Sequence, residues 1–306
     1  MTYLTDKYLN PFTDFGFKKL FGSEANKTIL IDFLNTLLEG EESTIVDLTF
    51  ISNEQLGKQM VDRRAVFDIY CENEKGEKFI VELQKSKQNF FKDRSVFYSS
   101  FPIQEQGQKG NWNFELKAIY TIAILDFVFD EDKEDKEKYF YKVKLSDVDT
   151  NKVFYDKLTF IYLEMPKFTK PLAELNTHFE RWMYVFKNLD SLQAYPESLT
   201  NGIFKSFFAE AELAQLPLDK QREYENSLKY YRDLNNVIDT AFDDGKELGK
   251  AEGIEQGKAE GIEQGKAEGE YNKSVEIAKN LLSLLDNETI AANTGLSVDI
   301  IQSLRK

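Results

Sequence analysis

Between Thr13 and Leu38 the apolar residues recur at helical spacing. Phe17, Leu20, Phe21, Ile29, Leu30, Phe33 and Leu37 fall on one side, and Thr13 stands where a cap belongs, so "TDFGFKKLFGSEANKTILIDFLNTLL" predicts a helix or a helix pair. The period then changes. "TIVDLTFIS", "VFDIYCE" and "KFIVELQ" are short and rich in β-branched and aromatic residues, with Asn73 to Glu77 turning between the last two, and they predict three antiparallel strands. In "NFFKDRSVFYSSFPIQEQ" the residues Phe90, Phe91, Arg94, Phe97, Tyr98 and Phe101 are spaced like one helical face. "ELKAIYTIAILDFVF" is continuously apolar, the pattern of a strand covered on both sides. A charged loop, "DEDKEDKEK", separates it from two further strands, "YFYKVKL" and "KLTFIYLEM". From Pro171 the chain turns helical, with Leu175, Phe179, Trp182, Met183 and Phe186 on one stripe and helical patterns continuing through "YENSLKYYRDLNNVIDTAF".

The tail has a different grain. Glycine stands at every fourth place from Gly245 to Gly269, and the unit GKAEGIEQ repeats. Four residues advance a helix by about 400°, so the glycines would form a drifting stripe, each costing roughly 1 kcal/mol against alanine. The favoured expectation is a partly helical linker, over a close-packed helix pair that promotes self-association. The last stretch predicts an amphipathic helix followed by "TIAANTGLSVDII", a helix-turn-helix-like unit with Gly295 at the turn and Ser297 capping the next helix. With only Arg305 and Lys306 as basic anchors, a plain helical hairpin is favoured there over a DNA reader. The segments expected are a first domain over 1–190, a helical extension over 191–242, a repeat linker over 243–270 and a small helical segment over 271–306.

Charge and composition narrow the chemistry. A net charge of −14 argues against coating nucleic acid by bulk electrostatics, which leaves local patches: Lys58, Arg63 and Arg64 before the hairpin, and Lys85, Lys87, Lys92 and Arg94 after it. A solvated charged face is an equal alternative. One cysteine, Cys71, excludes an internal disulfide, and one histidine, His178, excludes an imidazole cluster for zinc. With no secretory leader and no apolar run long enough to span a bilayer, a cytoplasmic protein without membrane contact is expected. Trp182 reads as a core residue and His178 as an ordinary surface or packing residue.

The hairpin "FDIYCENEKGEKFIVELQ" carries the strongest chemical signal. Its odd positions, Phe67, Ile69, Cys71, Phe79, Val81 and Leu83, are all apolar and define a core face. Its even positions put Asp68, Glu82 and Gln84 together on the other face, beside Val66, Tyr70 and Ile80. If residue 72 pairs with 78, Asp68 lies opposite Glu82, and two facing carboxylates require compensation. Hard oxygen ligands on two strands suit Mg²⁺ or Mn²⁺. Acids on an exposed strand face, without a cation, remain the alternative.

The pattern D-x13-E-x-Q across two strands resembles the PD-(D/E)XK nuclease fold. More specifically, "NPFTDFGFKKLFG", the hairpin, "RSVFYSS", "ELKAIYTIAILDF" and "ERWMYVFKN" are similar to successive blocks of the PD-(D/E)XK nuclease family transposases, the recombination-promoting nuclease group, from about Asn10 to about Asn188. The resemblance implies an α/β (α+β) restriction-endonuclease-like core, with a mixed central sheet flanked by helices and a helical C-terminal region. It implies that Asp68 and Glu82 ligate the metal, that Asp14 adds an acid, and that the protein is a Mg²⁺-dependent (or Mn²⁺-dependent) endonuclease acting on double-stranded DNA in recombination. Gln84 stands where the superfamily pattern has lysine, and an amide cannot offer positive charge to the phosphate. Lys18, Lys85 or Lys87 are candidates to supply it, with Lys85 the poorest by strand parity.

Arg94 and Tyr98 lie one helical turn apart and are candidate DNA contacts with Lys18 and Lys87, although packing or an ion pair explains them as well. The second functional class is a catalytically weak nuclease-fold scaffold for DNA or protein binding, self-associating through its tail.

Overall fold

The structure is a computed structural model that describes residues 6–40, 44–52, 54–55, 65–199 and 202–305. In it the Thr13 hydroxyl accepts a hydrogen bond from the Gly16 amide at 3.0 Å and opens helix α1 (Asp14–Phe21). That entry is fixed by Asn10, which is buried. Its side-chain oxygen accepts from the Phe12 amide (2.8 Å), its carbonyl accepts from the Thr13 hydroxyl (2.8 Å), and its amide nitrogens donate to Asp190 (2.7 Å) and the Tyr224 hydroxyl (2.9 Å). Gly16 permits this closeness, because a Cβ there would lie 2.2 Å from the Asn10 carbonyl oxygen.

Helix α2 (Lys27–Leu37) follows, then strands β1 (Leu48–Phe50), β2 (Glu54–Gln55), β3 (Ala65–Val66), β4 (Ile69–Asn73) and β5 (Lys78–Gln84). Helix α3 (Phe91–Glu105) leads to β6 (Ile119–Leu125), and the hairpin of β7 (Phe140–Ser146) and β8 (Val153–Glu164) completes the strands. Helices α4 (His178–Asn188), α5 (Ile203–Ala211) and α6 (Leu218–Leu281) come next, with α7 (Asn287–Thr294) and α8 (Val298–Leu304) last. Among the described residues, six strands form one sheet in the order β1-β4-β5-β6-β8-β7, while β2 and β3 pair separately. The β5–β6 and β6–β8 pairs are parallel and the others antiparallel. β6, buried at every position, lies in the interior of the sheet.

Helices cover both faces. On one, Ile69, Cys71, Phe79, Val81, Ile122 and Ile161 pack against apolar residues of α1, α2, α4 and α5. On the other lies α3, with Phe91 against Ala123, Leu125 and Tyr162, and with Tyr98 and Phe101 against Phe67, Tyr70 and Ile80. This is the mixed α/β core, followed by a helical C-terminal region, that the sequence led us to expect.

Three local expectations change. Phe67 joins the α3 side with Tyr70 and Ile80 rather than the face of Ile69 and Cys71, because residues 67 and 68 fall between β3 and β4 and strand alternation does not reach them. The buried stripe of α3 is Phe91, Ser95, Ser99 and Pro102, whereas Phe97 is half exposed and Phe90, at φ 61°, precedes the helix in the left-handed region with its ring 79% exposed. Small residues let the helix lie close on the sheet. Leu175 ends a short 3₁₀ turn before α4, which Thr177 and Glu180 open as a capping box. His178 packs on Trp182 and Phe204 and contacts Asp32 at 2.6 Å, a partner the sequence did not indicate.

The chain divides into two compact units, Met1–Asn235 and Asn236–Lys306, with the boundary inside α6. Residues 243–270, including the glycine repeat, are helical, and a Cβ added at any glycine from Gly245 to Gly269 would meet nothing within 4 Å. In the second unit, Ala278, Ile290, Leu296 and Ile301 form a small core. Gly295, at φ 72°, makes the turn, and Ser297 accepts from the Ile300 amide. Arg305 is spent on the carbonyls of Leu282 and Leu285. No helix of the described residues is long and apolar enough to cross a membrane.

Candidate active site

The register of β4 on β5 pairs Ile69 with Val81 and Tyr70 with Ile80, so the next pair outward is Asp68 with Glu82. The backbone ladder stops there and side chains continue it. The Leu83 amide donates to Asp68 Oδ2 at 2.7 Å, and the Asp68 amide donates to Glu82 Oε1 at 3.2 Å. Each acid is thereby held by the other's strand.

Glu82 is buried, only 8% exposed, and Asp68 is half-buried. Burial raises the pKa of Asp68, with the Leu83 amide and Lys18 acting against it and Asp14 adding to it. Burial first and the Asp68 charge second push Glu82 up to about 8, with Arg94 acting against them.

A cleft of about 340 Å³ opens beside this pair, lined by Asp14, Asp68, Gln84, Lys85, Gln88 and Tyr230 among others. Asp14 reaches it from the first turn of α1, paired with Lys18 at 2.9 Å. Lys85 lines it as well, so its ranking as the poorest candidate by parity is corrected: β5 ends at Gln84, and alternation does not extend to residue 85. Burial lowers the Lys85 pKa, with Asp14 and Asp68 opposing.

Gln84, 8% exposed, makes two contacts. Its amide nitrogen donates to the Ser86 carbonyl at 2.8 Å, and its oxygen accepts from Arg94 Nη2 at 2.5 Å. Arg94 Nη1 donates to Gln88. The guanidinium also lies over the rings of Phe91 (4.7 Å) and Tyr98 (5.5 Å), and Tyr98 stands edge-on to Phe67 at 5.3 Å. Burial raises the Tyr98 pKa.

The site therefore gathers Asp14, Lys18, Asp68, Glu82, Gln84, Arg94 and Tyr98. Lys87 is directed elsewhere, to Asp130 of the acidic turn Asp130–Asp132, whose Glu131 takes Lys92. Lys58, Arg63 and Arg64 lie outside the described residues. Sequence reasoning missed Gln88, Tyr230 and Leu234 as wall residues. Only the polar "KSKQ" run after β5 signalled the first, and nothing in the helical pattern of α6 signalled the others.

Among the described residues, no three His, Cys, Asp or Glu side chains are grouped closely enough to hold a metal ion. A half-buried and a buried carboxylate set side by side, Asp68 and Glu82, nevertheless fit a hard divalent cation, whose shell water and substrate would complete.

A family model described as "PD-(D/E)XK nuclease family transposase" matches residues 11–241. No curated protein and no solved structure gives a significant match.

Proposed function

The chain belongs to the PD-(D/E)XK nuclease family transposases, and from that premise we propose that it is a metal-dependent DNA endonuclease acting in recombination or mobile-element biology. The observation that carries the reading is the pairing of half-buried Asp68, which lines a cleft together with Asp14, with buried Glu82 beside it. Apposed acids raise each other's pKa and are costly in a purely structural role. A divalent ion held by Asp68 and Glu82, Mg²⁺ or Mn²⁺, would supply activation of an attacking water and offset charge on the phosphate. The residues of the chain do the rest. The Leu83 amide fixes Asp68 so that one oxygen is committed to the backbone. Asp14 enters from α1 and, held by Lys18, is placed to orient the attacking water. Lys18, Arg94 and Tyr98 serve as phosphate contacts on double-stranded DNA, and Lys87 joins them once released from Asp130. Attack on the phosphodiester leaves a 5′-phosphate and a 3′-hydroxyl.

The test is conversion of supercoiled plasmid to nicked or linear form with Mg²⁺, Mn²⁺ or Ca²⁺, beside Asp68→Asn and Glu82→Gln. Cutting that requires Mg²⁺ or Mn²⁺ and is lost in both variants is expected. Divalent-independent cutting, or variants that cut like the parent, would reject the site. Folded protein that binds DNA without cutting would instead make it a binding scaffold.

A further inference from the structure

We infer that Arg94 does the work of the lysine missing at position 84: it presents the cationic group to the scissile phosphate and the attacking water, with Gln84 and Gln88 as its positioning residues. The inference rests on the nuclease reading above. Position 84 lies on the α3 side of β5, two residues from Glu82, and a lysine there would bring its charge beside the acidic pair. Glutamine has no charge to bring. It has an acceptor, and that acceptor is occupied by Arg94 Nη2 at 2.5 Å. Gln88 accepts from the other terminal nitrogen, and both amides line the cleft. The Phe91 and Tyr98 rings hold the guanidinium plane from the side. A cation on a long flexible stem thus becomes fixed, one element away from its usual strand.

Commitment separates Arg94 from its rivals. Lys18 is paired with Asp14, Lys87 with Asp130 and Lys92 with Glu131. The partners of Arg94 are neutral amides, and among the described residues no carboxylate pairs with it, so its charge remains available for a phosphate. Lys85 also lines the cleft, but its ammonium lies over the Tyr230 ring at 5.7 Å, on the α6 wall, and neither Gln84 nor Gln88 holds it.

Plasmid cleavage and duplex binding in EDTA test this on the full chain, with Arg94→Ala, Lys85→Met, Gln84→Ala and the double variant Arg94→Ala/Gln84→Lys. Arg94→Ala is expected to lower kcat roughly 100-fold to 1000-fold, the scale of losing one charge-stabilising donor, while its Kd for uncut DNA in EDTA rises by a much smaller factor, that of one lost phosphate contact. Returning lysine to position 84 should recover at least tenfold of that loss. Gln84→Ala should lower kcat more than it raises KM, and Arg94→Lys should retain part of the rate. If Arg94→Ala cuts normally while Glu82→Gln is inactive, the nuclease reading stands and the inference fails. It also fails if Lys85→Met carries the larger loss, if lysine at 84 rescues nothing, or if the loss in Arg94→Ala lies wholly in Kd. A wild-type protein that does not cut overturns both.

Discussion

The Leu83 amide holds Asp68 and the Asp68 amide holds Glu82, in surroundings that exist only in the folded chain, so their protonation is linked to folding. For Glu82 the folded pKa of about 8 lies above the ordinary value near 4.3. The folded state therefore binds the proton more tightly, and this stabilisation is complete at acid pH and is lost as pH rises through 8. Asp68 is shifted in the same direction. In metal-free protein, Tm is expected to fall between about pH 5 and 9, and Glu82→Gln should flatten that fall. A divalent ion needs both carboxylates ionised, so its affinity should rise over the same range. Differential scanning fluorimetry with EDTA or Mg²⁺ measures both trends, and a Tm that climbs toward pH 9 more steeply in the parent than in Glu82→Gln would contradict them. Much of this pair was legible in the sequence, since the hairpin turn sets the register of β4 on β5 and the next pair outward follows from it. Lys85 and Phe67 were not, because each stands just beyond the end of a strand, where parity has no physical basis.

At the scale of elements, the acidic turn is held by its stem. The Phe129 amide donates to buried Glu164 at 2.7 Å, and Lys167, almost wholly buried, pairs with Glu164 at 2.7 Å while donating to the Asp132 carbonyl at 2.8 Å. So anchored, the turn sets Asp130 and Glu131 on Lys87 and Lys92. Exposed pairs of this kind are each worth at most about 1 kcal/mol, and a phosphate can replace the carboxylate. Asp130→Asn with Glu131→Gln is therefore expected to tighten duplex binding and to steepen its salt dependence by about 0.9 for each further phosphate neutralised. Fluorescence anisotropy across a salt series reads both, and unchanged affinity would remove Lys87 and Lys92 from the DNA surface. The order of elements was legible from period and composition. The face of α3 was not: aromatic spacing points to Phe97, but close approach to the sheet selects Ser95 and Ser99, and small buried residues leave no hydrophobic signal. The tight start of α1 gives a sharper case. Gly16→Ala places a Cβ 2.2 Å from a backbone oxygen, so a loss of about 1–3 kcal/mol in denaturant unfolding is expected.

At the scale of the whole chain, the match over residues 11–241 extends past the sheet and into α6. The packing explains why. Tyr224 is fully buried, and its hydroxyl accepts from the Asn10 amide; Leu228 joins the same core; the Tyr231 hydroxyl donates to Asp126 at 2.7 Å, and the Asp126 amide in turn donates to the Gln84 carbonyl at 2.9 Å. The first turns of α6 thus brace both the loop that starts α1 and the strand end that carries Gln84. Beyond Asn235 the helix enters the second unit, and a Cβ added at any glycine from Gly245 to Gly269 would meet nothing within 4 Å. Two truncations separate these roles. A chain ending at residue 241 keeps every one of these contacts and is expected to unfold cooperatively at a Tm within a few degrees of the full chain. A chain ending at residue 217 loses the aromatic brace, and removing even one large buried side chain costs about 3–5 kcal/mol, so it is expected to be unfolded or to melt far lower. If both truncated chains melt alike, α6 does not belong to the folded core, and the placement of Asp14 and Gln84 is secured without it.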